Sequence, residues 1–129
     1  MKEEHAYNLS SDHAFAKAKQ KGWDVVVSDK YTLQVDIDSL EQLEIFENRL
    51  QLFKEYYECS MDIQESISGS PHFHVYVKLE DDSFSVNERI LLQLFLGSDS
   101  TREFLSYIQS ELGDSNPILF FEKPKSQEK

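Results

Sequence analysis

Residues Tyr31–Ile37 read YTLQVDI, and their period-two alternation restricts the fold more than any other stretch of the chain. Leu33, Val35 and Ile37 alternate with Thr32, Gln34 and Asp36. Successive side chains of a strand leave opposite faces, so one face is apolar and the other carries Gln34, Asp36 and Asp38. The segment that follows supplies cover for the apolar face. Leu43, Phe46, Leu50, Phe53 and Tyr57 recur at alternating intervals of three and four, a single helical stripe. Ser39 or Asp38 caps that helix, and Glu41 and Glu44 sit near its positive end.

The remaining elements read outward from this pair. Residues 11–21, SDHAFAKAKQK, predict a helix with Ser11 as N-cap and Gly22 as its stop. Trp23–Val27 is β-branched and aromatic, and Ser28-Asp29-Lys30 makes a short turn into Tyr31–Ile37. Ser60–Ser66 and His72–Leu79 read as strands joined around Ser68-Gly69-Ser70-Pro71, residues that favour tight reversals. Ser85-Val86-Asn87-Glu88 and Ser100-Thr101-Arg102-Glu103 read as two capping boxes. They open helices that stop at Gly97 and Gly113. Ile118–Phe121 is a short final strand. The order predicts an α+β chain with a ferredoxin-like or RNA-recognition-motif-like split βαβ sheet, plus an N-terminal helix and an extra hairpin strand. A single domain over residues 1–129 is expected, mobile at about 1–10 and in the tail at about 124–129.

Charge narrows the function classes. Against 13 basic residues stand 24 acidic ones, for a net charge of −11. Nucleic-acid affinity comes largely from Lys and Arg displacing counterions, so any contact with DNA or RNA is expected to be weak unless a metal bridges the phosphates. The single cysteine, Cys59, excludes an internal disulfide framework and a cysteine-based zinc finger. MKEEHAYNLSSDH has no apolar run to serve as a signal peptide, and no run elsewhere is long enough to cross a membrane. A cytoplasmic protein is the expectation. No G-x-S-x-G elbow and no phosphate-binding glycine loop occurs among the four glycines.

Three clusters carry chemistry. Asp36 and Asp38, at i and i+2 on one strand, leave the same face about 6–7 Å apart. Two ionised carboxylates so placed are costly unless a hard cation such as Mg²⁺ or Mn²⁺ lies between them. The alternative is a solvent-facing strand end with Asp38 serving only as a helix cap. His72, His74 and Tyr76 share one face of their strand, and that face is the carboxylate face if the strand lies beside Tyr31–Ile37. A histidine there contacts a phosphate or ligates a metal; exposed histidines on a half-open sheet are the plain alternative. Glu122, at the end of the last strand, is a third carboxylate if that strand approaches Asp36 and Asp38.

Taken in order, these motifs resemble the catalytic half of the archaeo-eukaryotic primase superfamily, in a phage-type form. Val35-Asp36-Ile37-Asp38 matches its hydrophobic-D-hydrophobic-D motif, Ser68-Gly69-Ser70-Pro71-His72-Phe73-His74 its small-residue turn and histidine, and Phe121-Glu122 its third acid. The stretch from Asn87 to Glu103 is similar to the family's helical segment, and the likeness spans about Val25 to Lys123. The resemblance implies a metal-dependent nucleotide-binding domain or nucleotidyltransferase. Asp36, Asp38 and Glu122 are then the ligands of Mg²⁺ or Mn²⁺. His74, with Ser70 and His72, contacts a nucleoside triphosphate. Asp36, Asp38 and His74 are the catalytic set, and Arg89 or Arg102 adds charge. Two departures leave an active minimal or degenerate relative and an inactive one both open: the third acid is Glu in place of Asp, and the chain lacks room for the family's N-terminal half.

Two other classes remain. His72-Phe73-His74 is also a His-hydrophobic-His motif of single-strand endonucleases, with Tyr107 as the nucleophile on a helix, although no lysine follows at the usual spacing. A non-catalytic acidic protein that binds a protein partner fits the net charge best.

Overall fold

The computed structural model describes residues 10–124, so the termini expected to be mobile lie outside the described residues apart from Ser10 and Pro124. The described chain is α+β. Its order is α1 (Ser11–Lys21), β1 (Asp24–Val27), β2 (Thr32–Ile37), α2 (Leu40–Lys54), β3 (Cys59–Glu65), β4 (Phe73–Leu79), α3 (Val86–Phe95), α4 (Ser100–Glu111) and β5 (Leu119–Glu122). The strands form two antiparallel sheets, one ordered β2–β4–β3 and the other pairing β1 with β5. No helix among the described residues is long and apolar enough to cross a membrane.

The alternation in β2 and β4 becomes the core. Leu33, Val35 and Ile37 of β2 and Val75, Val77 and Leu79 of β4 are buried on one face, against Phe46, Leu50 and Phe53 of α2 and against Leu96. Burial of each such side chain contributes about 1.5–3 kcal/mol. Leu43 and Tyr57 pack at the ends of the same stripe.

The caps follow the sequence in part. Ser39 caps α2, and Ser85 with Glu88 closes a full capping box on α3. Helix α1 is capped by Ser10, one residue earlier than expected. Ser11 is instead buried, and its amide and hydroxyl each donate to Asp114 at 2.6 Å, tying α1 to the loop after α4. Helix α4 is capped by Asp99, whose carboxylate accepts from the Arg102 amide. Glu103, expected to complete a capping box with Ser100, points inward and is wholly buried.

The extra strand also differs from expectation. β1 does not form a hairpin with β2; it pairs with β5, Val25 opposite Phe121 and Val26 opposite Phe120. The reason lies at the edge of β2 that faces away from β4. Along it the amides of Gln34, Asp36 and Asp38 donate to Gln93 Oε1 (2.9 Å), Ser98 Oγ (2.9 Å) and Gln42 Oε1 (2.8 Å). The Thr32 carbonyl accepts from Ser28 Oγ at 2.7 Å, Gln34 O from Arg102 Nη1 at 2.8 Å, and Asp36 O from the Asp99 amide at 2.9 Å. Side chains and a loop amide thus occupy the ladder that another strand would take.

Glu103 holds this edging together. Its two carboxylate oxygens accept from Gln93 Nε2 (2.7 Å), Ser98 Oγ (2.7 Å) and Arg102 Nη1 (2.6 Å), three of the residues that bond β2. Breaking a buried ion pair by deleting one partner costs about 3–5 kcal/mol. Glu103→Ala is expected to lose that much stability in urea denaturation, whereas Glu111→Ala, exposed on the same helix, changes stability by less than about 0.5 kcal/mol. A loss below about 1 kcal/mol in Glu103→Ala contradicts this account of the edge.

Candidate functional site

The register of β2 against β4 sets Asp36 opposite His74, so the acidic and histidine faces are one face. The β1–β5 ribbon lies over part of it. Gln34 Nε2 reaches up to the Val26 carbonyl at 2.9 Å, and Phe120 stacks parallel to the His74 ring with centroids 3.8 Å apart. Tyr76 meets the same phenyl ring edge-on at 5.7 Å, and the Arg102 guanidinium lies 4.4 Å from its centroid.

His74 stands between two acids. Its Nδ1 is 2.5 Å from Glu122 Oε1 and its Nε2 is 4.0 Å from Asp36 Oδ1. An ionised carboxylate only accepts, so Nδ1–H donates to Glu122 and Nε2 is left facing Asp36. Stacking on Phe120 and this bond together fix the ring in two directions. Glu122 also faces Tyr76: burial first, and the Glu122 carboxylate second, hold the Tyr76 phenol far above its ordinary range. Farther out, His72 Nδ1 pairs with Asp38 Oδ1 at 3.3 Å, both side chains nearly half exposed.

Asp36 carries the electrostatic strain. Burial, then the neighbouring Asp38 charge, raises its carboxyl above the usual range, against the opposing pull of Arg102 and His74. Asp36 and His74 open onto a cavity of about 490 Å³, walled also by Arg102, Lys17, Trp23, Ser66 and Ser68. The cavity combines one acid, one imidazole, two cations, hydroxyls and aromatic surface.

The structure brings together only part of the set that the motifs suggest. Asp36, His74 and Glu122 converge, and Asp38 with His72 forms the rim. Ser70 is exposed in the turn, and its neighbours Ser66 and Ser68 line the cavity in its place. Among the described residues, no group of three or more His, Cys, Asp or Glu side chains is arranged to hold a metal. Asp36 and Asp38 remain as two oxygen donors for a hard cation, a set that water and phosphate oxygens would have to complete. Glu122 is bonded to His74 instead. Of the two arginines, Arg102 joins the site, whereas Arg89 is buried and donates to the Phe84 carbonyl at 2.6 Å. Tyr107 lies in a groove between α3 and α4 with Leu91, Leu94 and Phe104.

Lys17 and Trp23 escape a motif search because they lie in α1 and just beyond it, before the motif-bearing strands. The signal for them is indirect: Lys17 falls between Ala16 and Ala18 in a short helix, and Trp23 is the only tryptophan in the chain.

The charge strain at Asp36 predicts a stability effect with a definite sign. In the folded chain Asp36 holds its proton to higher pH than in the unfolded chain, where the ordinary value is 3.8. The folded state therefore binds more protons across that window, and stability falls as pH rises through it. Asp36→Asn is expected to melt above the native protein at pH 7, with the gap closing below about pH 4. An Asp36→Asn protein that melts at or below native at pH 7 removes the basis for this reading.

The chain matches no protein-family model, and no curated protein and no solved structure is found similar to it.

Proposed function

We propose that this face of the sheet is a metal–nucleotide site, and that the chain is a minimal nucleotidyltransferase-like domain of the primase type. The observation that carries the reading is the convergence of Asp36, His74 and Arg102 on one cavity, beside a second carboxylate, Asp38. Triphosphates need cations and donors, and the cavity offers Arg102, Lys17 and the hydroxyls of Ser66 and Ser68. Trp23 and Phe121 add flat apolar surface of the kind on which a base stacks. The fold is read the same way. β2 and β3 run parallel on either side of β4 with α2 between them in sequence, as in a split βαβ sheet.

In this reading Asp36 and Asp38 hold Mg²⁺ or Mn²⁺, which supplies charge neutralisation at the phosphates and activation of an attacking hydroxyl. The protein's own part is positioning. Arg102 is pinned by bonds to Gln34 O, Gln34 Oε1, Glu103 and the Leu119 carbonyl, so what it presents to an anion is a fixed positive charge and not its engaged Nη hydrogens. Glu122 aims His74 toward the cavity and holds the Nδ1 proton in place. A single-strand endonuclease needs a tyrosine beside its two histidines, and Tyr107 sits in the α3–α4 groove.

The test is thermal melting with Mn²⁺ and a deoxynucleoside triphosphate. At about 100 times its dissociation constant a ligand adds roughly 2.7 kcal/mol, on the order of 10 °C for a chain of this size. The native protein is expected to show the rise, Asp36→Ala/Asp38→Ala to lose it, and Lys17→Ala to need several-fold more nucleotide for the same rise. Native protein that melts unchanged with metal and nucleotide together overturns the reading.

A further inference from the structure

The side of the molecule away from the candidate site shows an apolar helical face. On α3, Leu91 is 66% exposed, and Leu94 and Phe95 beside it are also exposed. On α4, Phe104 is 60% exposed, with Tyr107 one turn on. Leu91, Leu94, Phe104 and Tyr107 line one groove of about 410 Å³ between the two helices. Helix α2 extends the surface. Its Ile45, Arg49 and Leu52 recur at helical spacing and are exposed, as is Tyr56 in the turn just beyond it. This stripe adjoins α3: the Arg49 guanidinium lies over the Phe95 ring and donates to the Phe95 carbonyl at 2.8 Å. Just beyond the end of α2, Tyr57 meets Phe84, which precedes α3.

Two features of this face point to its occupant. The first is charge. Two copies that each carry −11 repel one another over most of their surface, so a self-contact is stable only through a face that adds no like charge. The exposed positions of the groove are such a face: Asn87, Leu91, Leu94, Ser100, Phe104 and Tyr107 carry no charge. An uncharged patch complements itself, with the exposed acids Glu88 and Glu111 standing one helical turn outside it. The second is area. Side chains of this size carry roughly 150–250 Å² each. Leaving Arg49 aside, the eight apolar ones on and just after α2, on α3 and on α4 are on average about half exposed and present on the order of 800 Å², what each partner gives to a standard interface.

We infer that the α2–α3–α4 face is the interface of a symmetric homodimer, with Phe104 and Leu91 of each copy buried against the other. The inference rests on a different surface from the nucleotide reading, since the groove residues Leu91, Leu94, Phe104 and Tyr107 do not line the cavity of Asp36 and His74. Light scattering after size exclusion tests it. The native protein is expected to run at twice 15.1 kDa at concentrations of tens of micromolar, with the dimer fraction rising between about 0.05 and 0.5 M salt as repulsion is screened. Leu91→Glu/Phe104→Glu is expected to raise the dissociation constant about 100-fold or more, as loss of central contacts does. Because both residues are mostly exposed, the variant's far-ultraviolet circular dichroism should stay native; Phe104→Arg alone serves as a second variant if it does not. A native protein that stays monomeric at every concentration and salt overturns the inference. So does a dimer that survives in the folded variants.

Discussion

A strand with a neighbour on one side only presents a row of amides and carbonyls on the other, and burying that row without partners costs about 1–3 kcal/mol per group. β2 is such a strand, and its free edge runs from Gln34, where it is buried, to Asp38 at an exposed end. Gln42, Gln93, Ser98, Asp99 and Arg102 make the missing bonds, and buried Glu103 fixes three of these residues in turn. Much of the remaining architecture follows. With the edge filled, β5 has no ladder beside β2. It pairs with β1 and lies on the polar face, held by Arg102 Nη2 donating to the Leu119 carbonyl at 3.3 Å. That displacement is what carries Phe120 and Glu122 over His74.

The site is therefore a by-product of edge closure in one respect and a departure from it in another. Arg102 is shared: its Nη1 bonds the edge while its guanidinium faces Asp36's cavity. Asp36 gains from that charge but stays strained by burial and by Asp38. Chains tolerate such local conflict where another requirement is served, and they hold it with surroundings that fit. Here those surroundings are the Glu122–His74 bond and the Phe120 stack, which leave the imidazole one orientation.

Local rules read well from the residues. The alternation in β2 and β4, the stripe of α2 and the capping box of α3 depend only on neighbours within a few positions, and the facing of Asp36 and His74 follows once the two strands pair. The pairing of β1 with β5 does not, because nothing local separates a short turn at Ser28–Lys30 from a hairpin. It is decided by Gln93, Ser98 and Arg102, some sixty residues or more from the strand edge they occupy. Glu103 shows the same limit: S-x-x-E spacing has one local meaning, and the buried amide and hydroxyl of Gln93 and Ser98 outbid it. Ser11 likewise reads as a cap until Asp114 lies across the chain from it. For the site, the acid and histidine positions were legible from their period, whereas Lys17 and Trp23 reach the cavity only through the docking of α1.

Helix α4 is where the two faces of the molecule meet. Arg102, Glu103 and Ser106 turn inward to β2 and the cavity, and Phe104 and Tyr107 turn outward to the groove with α3. A helix of twelve residues is anchored chiefly by tertiary contacts, since its own propagation contributes little at that length. Inward, those contacts are largely polar and directional; outward, they are apolar and, in the isolated chain, only half made. The two faces of the molecule therefore share one short helix, whose backbone places both the groove residues and, over Phe120, the Arg102 guanidinium.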